Sequence, residues 1–279
     1  MALGSFKKAL VVIFSLIFGT LLLLTVSFLM LQKSNSTVSA TATVEDWSVE
    51  VDQIDRIEMT IELGKVQIVP GDSEQILVRC QYPTKDYLDN KVKLTTDRNE
   101  KTLHLQLSSK RKSYFFGFIR DKACNITVEI PKNFIPELYV KIQAGELLIN
   151  EIETTSLSID GDVAEIEIND IGTSALQGIT VHNNVGSIVA YLSNLSEKTH
   201  PSLLADLNVG NIELHLKMQE NRGYSAQYVY NIGALTVQNK KNRGFGESQS
   251  FVSGTEHFAN YQIKVDVGEI KVFEDRQIS

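Results

Sequence analysis

Proline and cysteine are scarce in this 279-residue chain, at 5 and 2 copies. Helical periodicity is almost absent beyond Trp47. So few cysteines exclude a disulfide-dense scaffold, and 43% hydrophobic content excludes a disordered or collagen-like chain. Basic residues number 27 against 34 acidic ones, for a net charge of −7, which excludes nucleic acid as an expected partner. No hydrolase elbow, P-loop, zinc-protease H-E-x-x-H or dinucleotide fingerprint occurs. The five histidines (His104, His182, His200, His215, His257) are scattered. No catalytic residue, cofactor or metal is therefore expected.

Charge is missing from one long stretch. Ala9 to Leu31 is an uncharged run of 23 residues, preceded by Lys7 and Lys8 and followed by Lys33, and no acidic residue precedes Glu45. At about 1.5 Å per residue it spans a hydrocarbon core of about 30 Å. The basic flank predicts a cytoplasmic N-terminus and an exterior remainder. The competing reading is a cleaved signal peptide ending near Ala40 or Ala42, but such apolar regions run only about 7–15 residues. Ser34 to Thr43 is polar and tether-like. Cys80 and Cys124 fall in predicted strands, and the sequence leaves open whether they pair.

What is present is alternation with a phase break. With Gly145 as position 0, apolar residues stand at −7, −5, −3, −1, +2 and +4: Leu138, Val140, Ile142, Ala144, Leu147 and Ile149. The frame repeats around Gly64, Ala164, Gly186, Gly210, Gly233 and Gly268; of the 42 positions only Gly161 and Asn183 are not apolar. At −6, −4 and −2, 18 of 21 residues are polar, so the pattern exceeds what background composition gives. Side chains alternate along a strand, so −1 and +2 share one core only if the backbone bends at the small residue. Each unit is then a strand, a corner and a second short strand. Spacings of 19, 22, 24, 23 and 35 residues from Gly145 to Gly268 predict stacked coils, the last interval lengthened by an insertion at Lys240 to Ser253.

The stretch from Pro70 to Pro131 breaks the period and predicts strands at Gln75–Gln81, Lys91–Thr95, Thr102–Leu107 and Asn125–Ile130. The expected fold is all-β: a β-solenoid or parallel β-helix-like repeat domain with an antiparallel N-terminal flanking sheet, preceded by one transmembrane helix. The expected division is a cytoplasmic N-terminus at 1–8, an anchor at 9–31, a tether at 32–50 and a solenoid at 51–275. Within the last, 51–135 holds the flanking strands and first repeat, and 136–275 the regular coils.

The strand–Gly–strand with its turn (Ile61 to Gly71), the strand ending in a proline turn (Ile126 to Lys132) and the repeated Gly-x-hydrophobic-x-hydrophobic units resemble the bacterial putative-adhesin family. The resemblance covers about Val51 to Phe273, with Ala164 in place of one glycine. It implies an extracytoplasmic surface or envelope role and transfers no catalytic residue.

Two features stand out as candidate sites. The −2 column is entirely carboxylate or carboxamide, including Asp162, Asn184, Asn208, Asn231 and Asp266, and predicts an outward polar ladder, structural or glycan-contacting. The segment Lys110 to Lys122 mixes Lys110, Arg111, Lys112 and Arg120 with Tyr114, Phe115, Phe116 and Phe118, a composition suited to an anionic membrane surface or a partner groove. Asp160, Asp162, Glu165 and Asp170 are weighed as calcium ligands of a carbohydrate-active β-helix. The leading expectation is a membrane-anchored, non-catalytic exterior solenoid for adhesion or envelope interaction, with an envelope protein, lipid surface or glycan as partner. An accessory or sensory subunit of an envelope-stress system is the alternative, and the carbohydrate-active β-helix the second alternative.

Overall fold

A computed structural model describes residues 43–82, 92–109, 125–171, 175–193, 202–219, 222–238, 240–253 and 256–277. They are organised as thirteen strands: β1 (Thr43–Glu50), β2 (Arg56–Gly71), β3 (Gln75–Tyr82), β4 (Val92–Asn99), β5 (Thr102–Ser109), β6 (Asn125–Pro131), β7 (Glu137–Asn150), β8 (Ser156–Asn169), β9 (Gly178–Ser193), β10 (Ser202–Gln219), β11 (Arg222–Val237), β12 (Lys240–Ser253) and β13 (Glu256–Gln277). Among the described residues there is no helix. The run at 9–31 lies outside them.

Seven long strands carry the repeat, and each pairs in parallel with the next in strict register: Gly64↔Gly145↔Ala164↔Gly186↔Gly210↔Gly268↔Gly233. Every strand bends at that column into two legs, so one sheet folds along a line. The residues at −7, −5, −3, +2 and +4 fill the space between the legs; in β7, Leu138, Val140, Ile142, Leu147 and Ile149 are all buried. Segments between strands close the third side with Ile152, Thr154, Ile171 and Leu176, also buried. The Thr154 hydroxyl lies 2.6 Å from the Pro136 carbonyl oxygen and 2.8 Å from that of Ser156. The exits are matched as well: Glu151 and Asp170, each six residues past its corner, have φ of 49° and 41°.

The corner itself demands glycine. Gly210 has φ +141°, and a Cβ there would stand 1.8 Å from the carbonyl oxygen of Gly186 on the neighbouring strand. Both the dihedral and the close approach exclude a side chain. Ala164 makes its corner without a positive φ. Its two companions in irregularity, Gly161 and Asn183, are in contact with it or with each other. The buried Asn183 amide donates to the Ala164 carbonyl at 2.9 Å, and a Cβ on Gly161 would meet Asn183 Oδ1 at 2.6 Å. The three exceptions to the repeat are thus one local arrangement.

Three expectations are corrected. First, position −1 does not join the core. Val163, Val185, Val209, Val267 and Ile232 are 43–56% exposed, because the glycine swings the chain so that this side chain leaves the interior before +2 re-enters it. Second, the coils do not stack in chain order. The sheet runs β1-β3-β6-β2-β7-β8-β9-β10-β13-β11-β12, with β13 lying between β10 and β11. The inserted β12 returns antiparallel along β11, which occupies one edge of β11 and leaves the other for β13. Third, residues 43–50 of the expected tether form β1, paired antiparallel with β3; Trp47 and Val49 alternate toward the core.

The antiparallel flanking sheet is as expected, with one refinement. β5 continues the first leg of β2 and β6 the second, so the stack splits at this end into two wings, β5-β4 and β6-β3-β1.

The far end is rich in buried tyrosine. Burial pushes the hydroxyls of Tyr224 and Tyr261 far above their ordinary value, and those of Tyr228 and Tyr230 up to about 12. Burial also raises Tyr82 in the β3 wing. A tyrosine raised in the folded state contributes stability that is complete below pH 10 and is lost as pH climbs toward the folded value. Each costs up to about 1.4 kcal/mol per pH unit in that window. Melting followed from pH 8 to 11, with phenolate absorbance, is expected to show five of the nine tyrosines (Tyr82, Tyr224, Tyr228, Tyr230 and Tyr261) ionising only on unfolding. Nine tyrosines titrating together in a folded chain would contradict the buried cluster.

Candidate functional site

The first leg of each coil faces outward with positions −6, −4 and −2. At −2, side chains on neighbouring coils bond to one another in two runs. Asn184 Nδ2 donates to Asp162 Oδ1 at 3.1 Å, Asn208 Nδ2 to Asn184 Oδ1 at 2.8 Å, and Asn231 Nδ2 to Asp266 Oδ1 at 2.7 Å. The backbone register passes from Leu207↔Asn183 to Val209↔Val185 with no bridge at Asn208, so side-chain amides bond where the bent main chain does not. Beside the ladder, Lys264 lies 3.4 Å from Asp206 and 3.3 Å from Asp266. Burial works against its charge, but the two carboxylates hold the ammonium above its ordinary pKa. The ladder amides are spent on neighbouring coils, so this column holds the corner together.

The surface next to it is open. Because the 0 column holds only glycine and the single methyl group of Ala164, the corner is a trough with a nearly bare floor. One wall is the exposed apolar −1 column and the other the +1 column, which holds Lys65, Glu146 and Glu165 at the β2 end. Lys65 and Glu146 pair at 2.7 Å. Between β2 and β9 the trough deepens into a cavity of about 280 Å³, where Asn125 also contributes. Beyond β11 the apolar wall continues onto β12: Phe245 pairs with Ile232 and is 81% exposed.

The second leg carries a further column at +5. The rings of Tyr191, His215 and Phe273 stack with centroids 4.3 and 4.8 Å apart and planes within 14° and 16°. Glu213 Oε1 lies 2.6 Å from His215 Nε2. Register makes the stack, since these residues stand opposite one another on β9, β10 and β13. Reading down the +5 column finds it in the sequence, whereas the −1 stripe is disguised there as core.

Lys110, Arg111, Lys112, Tyr114, Phe115, Phe116, Phe118 and Arg120 lie outside the described residues, as does Cys124. Their segment joins Ser109 of β5 to Asn125 of β6. Cys80 is buried in β3. The calcium reading is not supported: Asp160 and Asp162 face out from the first leg, while Glu165 and Asp170 follow the corner. Among the described residues no cluster of three such ligands forms.

Bent strands stacked in register, with a continuous outer corner, define this chain as a β-solenoid-like protein. Residues 54–190 match the model of the Toastrack DUF4097 family. A solved structure with similar fold is a putative cell adhesion protein from Clostridium sporogenes, 12% identical, with a TM-score of 0.53, covering 84% of this chain and 100% of that one. A putative adhesin from Bacteroides fragilis is more distant: 14% identical, TM-score 0.32, covering 83% and 97%. No curated protein matches.

Proposed function

We propose that the chain is a membrane-anchored, extracytoplasmic and non-catalytic binding protein, whose solenoid takes part in adhesion or another cell-envelope interaction. The observation that carries this reading is the exposed corner, an apolar stripe repeated on strand after strand of a rigid stack. Isolated exposed apolar residues are ordinary, but a contiguous line of them marks a contact surface. The uncharged run Ala9 to Leu31 supplies the anchor, with Lys7 and Lys8 holding the N-terminus inside. The Clostridium sporogenes protein of similar fold, described as a cell adhesion protein, supports the same class of role. The basic–aromatic segment Lys110 to Lys122 belongs to it as a contact with anionic lipid or an envelope partner.

Protease added to intact cells tests the placement. It is expected to remove the whole repeat domain and to leave only a fragment of the size of the N-terminal anchor. Survival of the domain until the cells are opened overturns the topology. Cells expressing the chain are then compared with cells lacking it for retention on host or abiotic surfaces, where equal retention counts against adhesion.

A further inference from the structure

The trough has a chemistry that narrows what it takes. Six of the twelve large apolar residues exposed among the described residues lie on this one line: Val163, Val185, Val209, Val267, Ile232 and Phe245. They cross β8, β9, β10, β13, β11 and β12 in neighbouring order. With Leu63 and Ala144 the line covers eight strands, or about 34 Å at about 4.8 Å per step. No steric need of the bend explains the valines and isoleucine, since leucine and alanine serve at the same position in β2 and β7.

The flanks are acidic. On the seven bent strands the −2 and +1 columns hold six carboxylates (Glu62, Glu146, Asp162, Glu165, Asp266, Glu269) against Lys65, and with Lys264 and Lys271, which pair with Asp266 at 3.3 Å and Glu269 at 3.7 Å from the adjoining columns, the flanks remain net acidic. This balance repels anionic headgroups and acidic glycans, and apart from Phe245 at the β12 end the walls are aliphatic, with no run of aromatic faces on which a sugar chain stacks. An extended polypeptide fits both features. Its apolar side chains cover the valine stripe while its Lys or Arg heads reach the carboxylates on either side, and about ten residues at about 3.3 Å each span the line.

We propose that the corner trough binds an extended, cationic segment of a partner protein, with alternating apolar and basic side chains, laid along the stack axis across the strands. This deepens the binding role proposed above and rests on it, but not on membrane placement or adhesion.

The test uses the full-length chain in nanodiscs and a fluorescent peptide of about twelve alternating Lys and Val residues. Binding is expected, weakening as salt is raised. Val185→Lys with Val209→Lys, both at exposed positions, is expected to weaken it tenfold or more with unchanged melting. Gln262→Lys, exposed on the first leg, is expected to leave it unchanged. A peptide of alternating Glu and Val is expected not to bind. No binding by the wild type, equal binding by the double variant, or equal binding of the Glu–Val peptide each overturns the inference, while the shaving and retention assays still judge the broader role. A photoreactive group at residue 163 separates the remaining occupants. Crosslinks to the peptide support the proposal, and crosslinks in the wild type to residues 110–124 of the same chain overturn it.

Discussion

Replacing Gly210 with alanine is expected to destroy the fold of the repeat domain. Two costs act at once. The dihedral of +141° is one that a side chain rarely tolerates, costing about 1–3 kcal/mol. The added Cβ also meets the Gly186 carbonyl oxygen at 1.8 Å, and that oxygen belongs to a backbone already fixed by pairing on both sides. Relief requires the coils to separate, so the total reaches about 4 kcal/mol or more, a large part of the about 5–15 kcal/mol that holds an ordinary domain. Because each coil rests on its neighbours, damage at β10 spreads to β9 and β13. The companion variant Ala164→Gly is expected to cost only about 0.5–1 kcal/mol, through backbone entropy. Urea unfolding of the two variants checks this. A Gly210→Ala protein that melts within a few degrees of wild type would show that the corner does not depend on glycine.

The second large effect is expected at the irregular coil. Gly161→Ala forces a Cβ against Asn183 Oδ1 at 2.6 Å. Asn183→Val removes the donor that satisfies the Ala164 carbonyl and leaves that oxygen buried, at about 1–3 kcal/mol. The two changes share one cause of strain. Valine in place of the amide leaves the Gly161 Cβ no oxygen to meet, so the double variant is expected to lose about 1–2 kcal/mol less than the sum of the singles. Additive losses in a double-mutant cycle would show that the three exceptions are independent accidents.

The sequence reading went furthest where side-chain period maps directly onto geometry. The core columns other than −1, the glycine corners and the flanking strands all depend on spacing alone, and each is found where Leu138, Gly145 and Leu77 predict it. It failed where spacing is degenerate. Val185 and Asn183 share a parity in a straight strand, and only the glycine dihedral separates exposed valine from buried asparagine. Neighbour order is likewise invisible to a period. The coil centred on Gly268 matches Gly210 and Gly233 equally well, and it is the antiparallel return of β12 that decides which edge it takes. Residues 43–50 alternate too briefly to reveal that Trp47 and Val49 meet the core. The trough was missed for the first of these reasons, since its apolar wall carries the signature of a core position.

The central claim is an in-register stack bent at one column, with β13 inserted between β10 and β11, and disulfide trapping at the exposed −1 column tests it most directly. Cys80 and Cys124 are first replaced by alanine and serine. Val209→Cys with Val267→Cys places two thiols on adjacent paired strands, within the reach of about 4.4–6.8 Å between Cα atoms that a disulfide allows. Val209→Cys with Ile232→Cys places them two strands apart, at about 10 Å. Oxidation of the folded protein is predicted to lock the first pair and leave the second as free thiols. A bridge in the second pair and none in the first would mean that the coils stack in chain order, contradicting the account.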